Sequence, residues 1–348
     1  MTVTLVILIA LSVAFDFLNG FHDSANIVAT MISSRALSPR QALTITAIAE
    51  FLGPFLFGVA VATTIGAQVL NLPPSPSESM ALVVAALASA VAWNILTWYF
   101  GIPSSSSHAL IGGLVGAGLA DATFRQAAVG FSTINDFYAI FRVVKAAGIT
   151  KVVVALLISP LLGFIAGFLL MRVIRFLARG ATPGVNWVFK RGQLLTAIGL
   201  ALSHGTNDAQ KTMGIITLGL VVAGVIPEFK VPLWVVALAA GAIAAGTATG
   251  GWRLIKTLGG KFYKIRPIHG FTTQIGSASV ILGAALLGGP VSTTQVVSSA
   301  IMGAGSAERF SKVRWGVGKR IVFTWIITIP ATAIFAALVY CVVRPMFR

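Results

Sequence analysis

Asn19-Gly20-Phe21-His22-Asp23-Ser24-Ala25-Asn26 lies over His204-Gly205-Thr206-Asn207-Asp208-Ala209-Gln210-Lys211 when the chain is laid against itself at an offset of 185 residues (19 to 204). Each copy places an acid three residues after a glycine, inside an otherwise apolar run. A second pair of polar segments follows in the same order. Pro103-Ser104-Ser105-Ser106-Ser107-His108 matches Pro290-Val291-Ser292-Thr293-Thr294-Gln295 at an offset of 187 (103 to 290). Two motifs that recur in order at nearly equal separation mark an internal repeat.

The background decides what such motifs mean. The 348 residues are 57% hydrophobic and 10% charged, with a mean hydropathy of +0.92; a soluble domain carries about 25% charged residues. The chain therefore reads as an all-α polytopic membrane protein. Its 36 glycines and 14 prolines suit a helical bundle with close contacts and broken helices. The net charge of +16 resembles a nucleic-acid signal, but the basic residues cluster between apolar runs, as membrane topology expects, so no nucleic acid is implied. Cys341 is the single cysteine, which rules out an intramolecular disulfide. Residues 3–15 resemble a signal-peptide core but lack a basic start and run directly into Asp16 and the first motif. They are expected to form a retained first span.

With about 20 apolar residues per crossing, candidate spans fall at 3–33, 42–65, 80–100, 104–120, 152–175, 193–222, 232–249, 268–288, 290–306 and 321–341. The first and sixth are expected to be interrupted near 19–26 and 204–211, where Gly20 and Gly205 suit an unwound point. The short runs 104–120 and 290–306 read as half-helices or re-entrant hairpins, giving about 10–12 membrane segments. Threading with both termini outside puts the basic stretches 172–191, 253–266 and 309–320 on the inner side. The two motif pairs then run in opposite directions, the pattern of an inverted-topology repeat. The expected units are a first repeat at 1–178, a basic cytoplasmic linker at 179–192 and a second repeat at 193–348. The stretch 253–266 reads as an interfacial helix or inner loop.

The chemistry follows from the bilayer. A carboxylate at its centre costs about 2.5–3.5 kcal/mol even on the mildest scale, so Asp23 and Asp208 are functional candidates. Asp208 also has a structural partner to hand, Lys211, one helical turn away. Carboxylate and amide oxygens from Asp23, Asn26, Asn207 and Asp208, with backbone carbonyls, suit Na⁺ as the metal, or an acid that takes up a proton. Ser105 and Ser292 follow prolines and sit where a helix begins. A helix N-terminus offers free N–H groups to a phosphate-like anion, and Ser106, Ser107, Thr293 and Thr294 add hydroxyls. Glu50 and Gln274 are further polar residues inside expected spans, and His22, His108 and His204 adjoin the motifs as proton relays or packing groups. Asp16 precedes the expected break and lies close to it. No P-loop, metal-binding cysteine pattern or nucleophile elbow is present, so the chain does not read as an enzyme and implies no cofactor. Gradient-driven symport of an anion with a cation fits the charge balance.

At these residues the chain resembles the inorganic phosphate transporter (PiT) family of cation–phosphate symporters. That family duplicates a G-A-N-D-x-A-N signature and a P-x-S-x-T-H segment. Gly20, Asp23, Ala25 and Asn26 match the first signature, with His22 for Asn; Gly205, Asn207 and Asp208 match the second, with Lys211 for the last Asn. Ser105 and His108 match the first serine segment, with Ser107 for Thr; Ser292 and Thr294 match the second, with Gln295 for His. The family has a functional acid at the positions of Glu50 and Gln274. The resemblance implies import of inorganic phosphate across the plasma membrane by symport with Na⁺ or H⁺ and alternating access. It leaves a related oxyanion such as sulfate as the alternative substrate, and a homodimer open. The phosphate side is expected to comprise Ser105, Ser106, Ser107, Ser292, Thr293, Thr294, Gln274 and Lys211. The cation side is expected to comprise Asp23, Asn26, Asn207, Asp208 and Glu50.

Overall fold

The computed structural model describes residues 2–131 and 134–347. Among these, thirteen α-helices follow one another: α1 (Thr2–Ser33), α2 (Pro39–Leu56), α3 (Ala60–Ala67), α4 (Pro76–Phe100), α5 (Ser106–Val129), α6 (Ile134–Ile140), α7 (Ala146–Leu177), α8 (Val185–Val222), α9 (Leu233–Thr249), α10 (Trp252–Gly260), α11 (Pro267–Leu286), α12 (Thr293–Glu308) and α13 (Trp315–Val343). Each expected span finds a helix. By length and composition, four helices can cross a membrane: Val3–Ser33, Pro76–Phe100, Ala146–Leu177 and Trp315–Phe347; counting each bent pair as one span makes up to six.

The order long helix, bent pair, long helix, capped helix, long apolar helix occurs twice: α1, α2–α3, α4, α5, α7 and then α8, α9–α10, α11, α12, α13. Packing exchanges between the halves. Helix α1 lies on α9 and α8 on α2; α5 lies on α13 and α12 on α7. His108 of α5 and Gln295 of α12 are mates at the 187-residue offset, and their side chains touch at 3.2 Å. The stretch 179–192 divides between a turn and the first turns of α8.

The helix breaks are not where the glycines suggested. Both α1 and α8 run unbroken through their motifs. A Cβ on Gly20 would lie 2.0 Å from the Ile243 carbonyl oxygen, and one on Gly246 1.9 Å from that of Phe17. At the matching crossing, a Cβ on Gly205 would lie 2.2 Å from the Glu50 carbonyl oxygen, and one on Gly53 2.3 Å from that of Leu202. The motif glycines therefore let helix backbones meet rather than unwind. The bends sit instead between α2 and α3 (78°) and between α9 and α10 (70°). In the basic stretch 253–266, α10 buries Leu254, Ile255 and Leu258 and leaves Arg253 and Lys256 exposed, as an amphipathic interfacial helix would.

Layering follows from burial. Every residue of α12 from Thr293 to Ala307 is buried, so this 16-residue helix is enclosed by protein. Helices α7 and α13 expose Leu157, Leu161, Leu169, Ile326, Ile334 and Leu338, an apolar outer surface matched to lipid.

Gly205→Ala should lower the unfolding midpoint in detergent through about 1–3 kcal/mol of overpacking. Gly199→Ala on the same helix, with no atom within 4 Å of the added Cβ, should leave it in place; equal midpoints would remove the crossing from the account.

Candidate functional site

Residues three and four apart share a helix face. That spacing aligns Asp16, Asn19, Asp23 and Asn26 on α1, and His204, Asp208 and Lys211 on α8. The glycine crossings press α8 onto α2 and α1 onto α9, so both stripes close into the interior. Asp16, Glu50 and Asp208 are 0% exposed, and Asp23 and Lys211 1%.

Proline and serine shape the other wall. Ser105 Oγ accepts from the His108 N–H (3.1 Å) and Ser292 Oγ from the Gln295 N–H (3.3 Å), so both are N-caps. The N–H groups of Ser106, Ser107, Thr293 and Thr294, in the first turns of α5 and α12, have no carbonyl partner within their own helix. Ser107 Oγ donates to the Val291 carbonyl at 3.1 Å, tying the start of α5 to the residue before the second cap. The Asn207 side chain bonds the Val291 carbonyl (3.1 Å) and N–H (3.4 Å). In the other half His22, the repeat mate of Asn207, approaches Ser104, the mate of Val291, at 3.5 Å.

The two stripes and the two helix starts meet at Thr293. Its hydroxyl lies 3.1 Å from Asp23 Oδ2 and 3.1 Å from Asp208 Oδ2. A hydroxyl carries one proton, so only one of these contacts can be a hydrogen bond at a time. Thr294 Oγ donates to Asp23 Oδ1 (2.9 Å) and accepts from Asn26 Nδ2 (3.1 Å). His22 Nδ1 stands 2.8 Å from Asp23 Oδ1. Asp208 Oδ1 receives Lys211 Nζ and Asn207 Nδ2, each at 2.6 Å. Asp208 Oδ2 receives Asn19 Nδ2 at 3.2 Å, and Asn19 Oδ1 accepts from Ser106 Oγ.

His204 is the hub. Its Nε2 lies 3.4 Å from Asp208 Oδ2 and 3.7 Å from Asp23 Oδ2, and its Nδ1 lies 2.8 Å from Glu50 Oε1. Asp23, His204 and Asp208 each bring a ligand atom within 4.8 Å of the others, close enough that they could hold a metal ion.

The residues expected on the anion and cation sides thus form one cluster rather than two, because the threonine hydroxyls bond directly to the aspartates. Ser105 and Ser292 spend their hydroxyls on capping. Lys211, expected on the phosphate side, is paired with Asp208. Gln274 is not brought into the cluster; its Oε1 accepts from Thr196 Oγ at 2.5 Å and its Nε2 donates to Thr30 Oγ at 3.2 Å. Asn19 was missed as a site residue, although its four-residue spacing from Asp23 carried the signal. The same spacing from His204 to Asp208 would have raised the histidine above a packing group.

A duplicated helical membrane protein with polar groups gathered at helix starts between its halves has the architecture of many secondary transporters. The Phosphate transporter family model matches residues 19–336. The chain is 40% identical over 344 residues to a probable low-affinity inorganic phosphate transporter of Bacillus subtilis, covering 98% of each chain. It is 44% identical over 338 residues to one of Rhizobium meliloti, covering 97% of this chain and 95% of that one. A solved structure described as the sodium-dependent phosphate transporter superposes with a TM-score of 0.84 at 27% identity, over 99% of this chain and 100% of that one. The chain belongs to the phosphate transporter family, in line with its resemblance to inorganic phosphate transporters.

Removing one member of a buried ion pair costs about 3–5 kcal/mol, because the other charge is left uncompensated. Lys211→Met should therefore destabilise the protein strongly, and Asp208→Asn added to it should recover most of the loss. Denaturant unfolding of the two single variants and the double variant checks this; additive losses would mean that the pair is not coupled.

Proposed function

We propose that this protein imports inorganic phosphate by symport with a cation, exposing one central site alternately to each side of the cell's plasma membrane. The carrying observation is the Thr293 hydroxyl, held 3.1 Å from both Asp23 Oδ2 and Asp208 Oδ2. Two carboxylates sharing one hydroxyl repel each other and any incoming anion. A cation bound between them, with His204 and Thr293 as further contacts, removes both repulsions.

Phosphate then meets the starts of α5 and α12. There the first-turn N–H groups and the partial positive charge of each helix favour an anion, and Ser106, Ser107, Thr293 and Thr294 supply hydroxyls. Asn26 and Asn207 act through neighbours, Asn26 by orienting Thr294 and Asn207 by holding Asp208 and Val291. Because each ion lowers the electrostatic cost of the other, their affinities are linked, and linkage is what gradient coupling requires. The sodium dependence in the description of the structural neighbour supports Na⁺ at Asp23 and Asp208.

Alternating access is supported by the duplicated helix order and the exchanged packing, which give the site two related walls. The halves at 1–178 and 193–348, joined through 179–192, interleave, so the units that rock would each draw helices from both, α1, α2, α8 and α9 in one and α5, α7, α12 and α13 in the other. With the basic stretches 253–266 and 309–320 inside, both termini face outward.

Labelled-phosphate uptake into proteoliposomes, under a Na⁺ gradient alone or a pH gradient alone, tests the reading. Asp23→Asn should reduce gradient-driven uptake to background in a protein that still unfolds cooperatively; normal uptake would sink the assignment. Ser105→Ala with Ser292→Ala should raise the phosphate concentration for half-maximal uptake more than the cation concentration, through two weakened helix starts. Inhibition by sulfate as strong as by unlabelled phosphate would transfer the reading to a broader oxyanion carrier.

A further inference from the structure

One buried acid is used by none of these contacts. Asp16 lies on α1 one to two turns before Asn19 and Asp23, and it is 0% exposed. Neither of its carboxylate oxygens has a donor in good hydrogen-bonding geometry, and the buried hydroxyls of Ser12 and Thr212 are likewise without a well-formed hydrogen bond. Ser12 is one turn away on the same helix. Thr212 is the side chain that faces Asp16 from α8, with Asp208, Lys211 and Glu50 within electrostatic reach.

A carboxylate cannot remain ionised in a dry interior without donors; it takes up a counter-charge or a proton. Lys211 is committed to Asp208 at 2.6 Å. A bare metal ion needs a shell of oxygens. Helices α1 and α8 are continuous here, so their carbonyls are engaged within the helices and leave only the carboxylate and two hydroxyls. A proton needs only one oxygen, and the resulting carboxylic acid can donate to the Ser12 or Thr212 hydroxyl.

We infer that Asp16, cradled by Ser12 and Thr212, is a second coupling site, and that its ligand is a proton carried with the anion. The inference rests on the transport reading above and adds a residue and an ion to it. A proton from the outer solution bonds to an Asp16 oxygen. The same O–H bond breaks toward inner-side water after the site reopens, with no other change in bonding. Lys211, paired with Asp208 at 2.6 Å and within electrostatic reach of Asp16, links this site to the central one.

Other charged groups are accounted for. From α8 Asp16 faces Asp208 and Lys211, and from α2 Glu50. Helix α9 carries no titratable residue. Helix α4 carries only Glu78 and Tyr99, near its ends, and Glu78 pairs with Arg344. Helix α12 carries only Glu308, at its far end, and α11 only His269, in its first turn against Arg266 and Lys312. Helix α10, with Arg253 and Lys256, meets the later part of α1, where Gly251 and Gly259 contact Phe21, Ala29 and Ser33.

The experiment uses the full-length protein in lipid. Infrared difference spectra between high and low pH should show the carbonyl band of a protonated carboxylic acid that is missing from Asp16→Asn and shifted in Asp16→Glu. In proteoliposomes, phosphate uptake driven by a pH gradient is normalised to each protein's own gradient-free phosphate exchange. Asp16→Asn should weaken that ratio by about tenfold, within the ordinary range of coupling between sites, and flatten its pH profile. A band that persists unchanged in Asp16→Asn, or a pH-gradient response equal to that of the unmodified protein, overturns the assignment. Absence of phosphate exchange in the unmodified protein would instead strike the transport reading, while the infrared band still decides where the proton sits.

Discussion

The contact between Asp23 and Asp208 through one threonine proton is the constraint on which the rest of the molecule depends. Two carboxylates at 1% and 0% exposure have no water to dilute their repulsion, so every surrounding feature supplies donors. Lys211, Asn207 and Asn19 satisfy Asp208, and His22 and Thr294 satisfy Asp23. Buried polar networks of this kind favour one arrangement strongly when each group is partnered and are costly when one is not. The Thr293 hydroxyl lies 3.1 Å from both aspartates and adjoins the first-turn N–H groups of α5 and α12.

That network needs its helices close together. The paired glycine crossings, α1 on α9 and α8 on α2, remove side-chain bulk where backbones meet. The α8–α2 crossing also puts the Glu50 backbone against Gly205, and so brings the Glu50 carboxylate within 2.8 Å of His204. One packing requirement therefore fixes both the frame and the hub of the site. Helices α7 and α13 carry long apolar outer faces and no part of the ion cluster.

The two halves are related without being identical. Lys211 stands where its mate is Asn26, so one aspartate has a fixed ammonium while the other is held by His22 and two threonines. Gln295 stands where its mate is His108, and Thr293 occupies the place of Ser106.

By itself, the sequence determined the membrane environment, the duplication and the identities of the central residues. Apolar composition, repeated motifs and intramembrane acids are local properties that need no coordinates. Asp23, Asp208 and the two serine segments were legible because polar residues in an apolar run are conspicuous. The tertiary structure alone decided what touches what. It turned the expected breaks at Gly20 and Gly205 into helix crossings, because a glycine gives the same sequence signal for unwinding and for close approach. It merged the expected anion and cation sides, because Thr293 reaches Asp23 and Asp208 across separations of 270 and 85 residues. It left Gln274 out, bonded to Thr196 and Thr30 instead, since which helix packs against a side chain's face is not carried by helix periodicity or spacing.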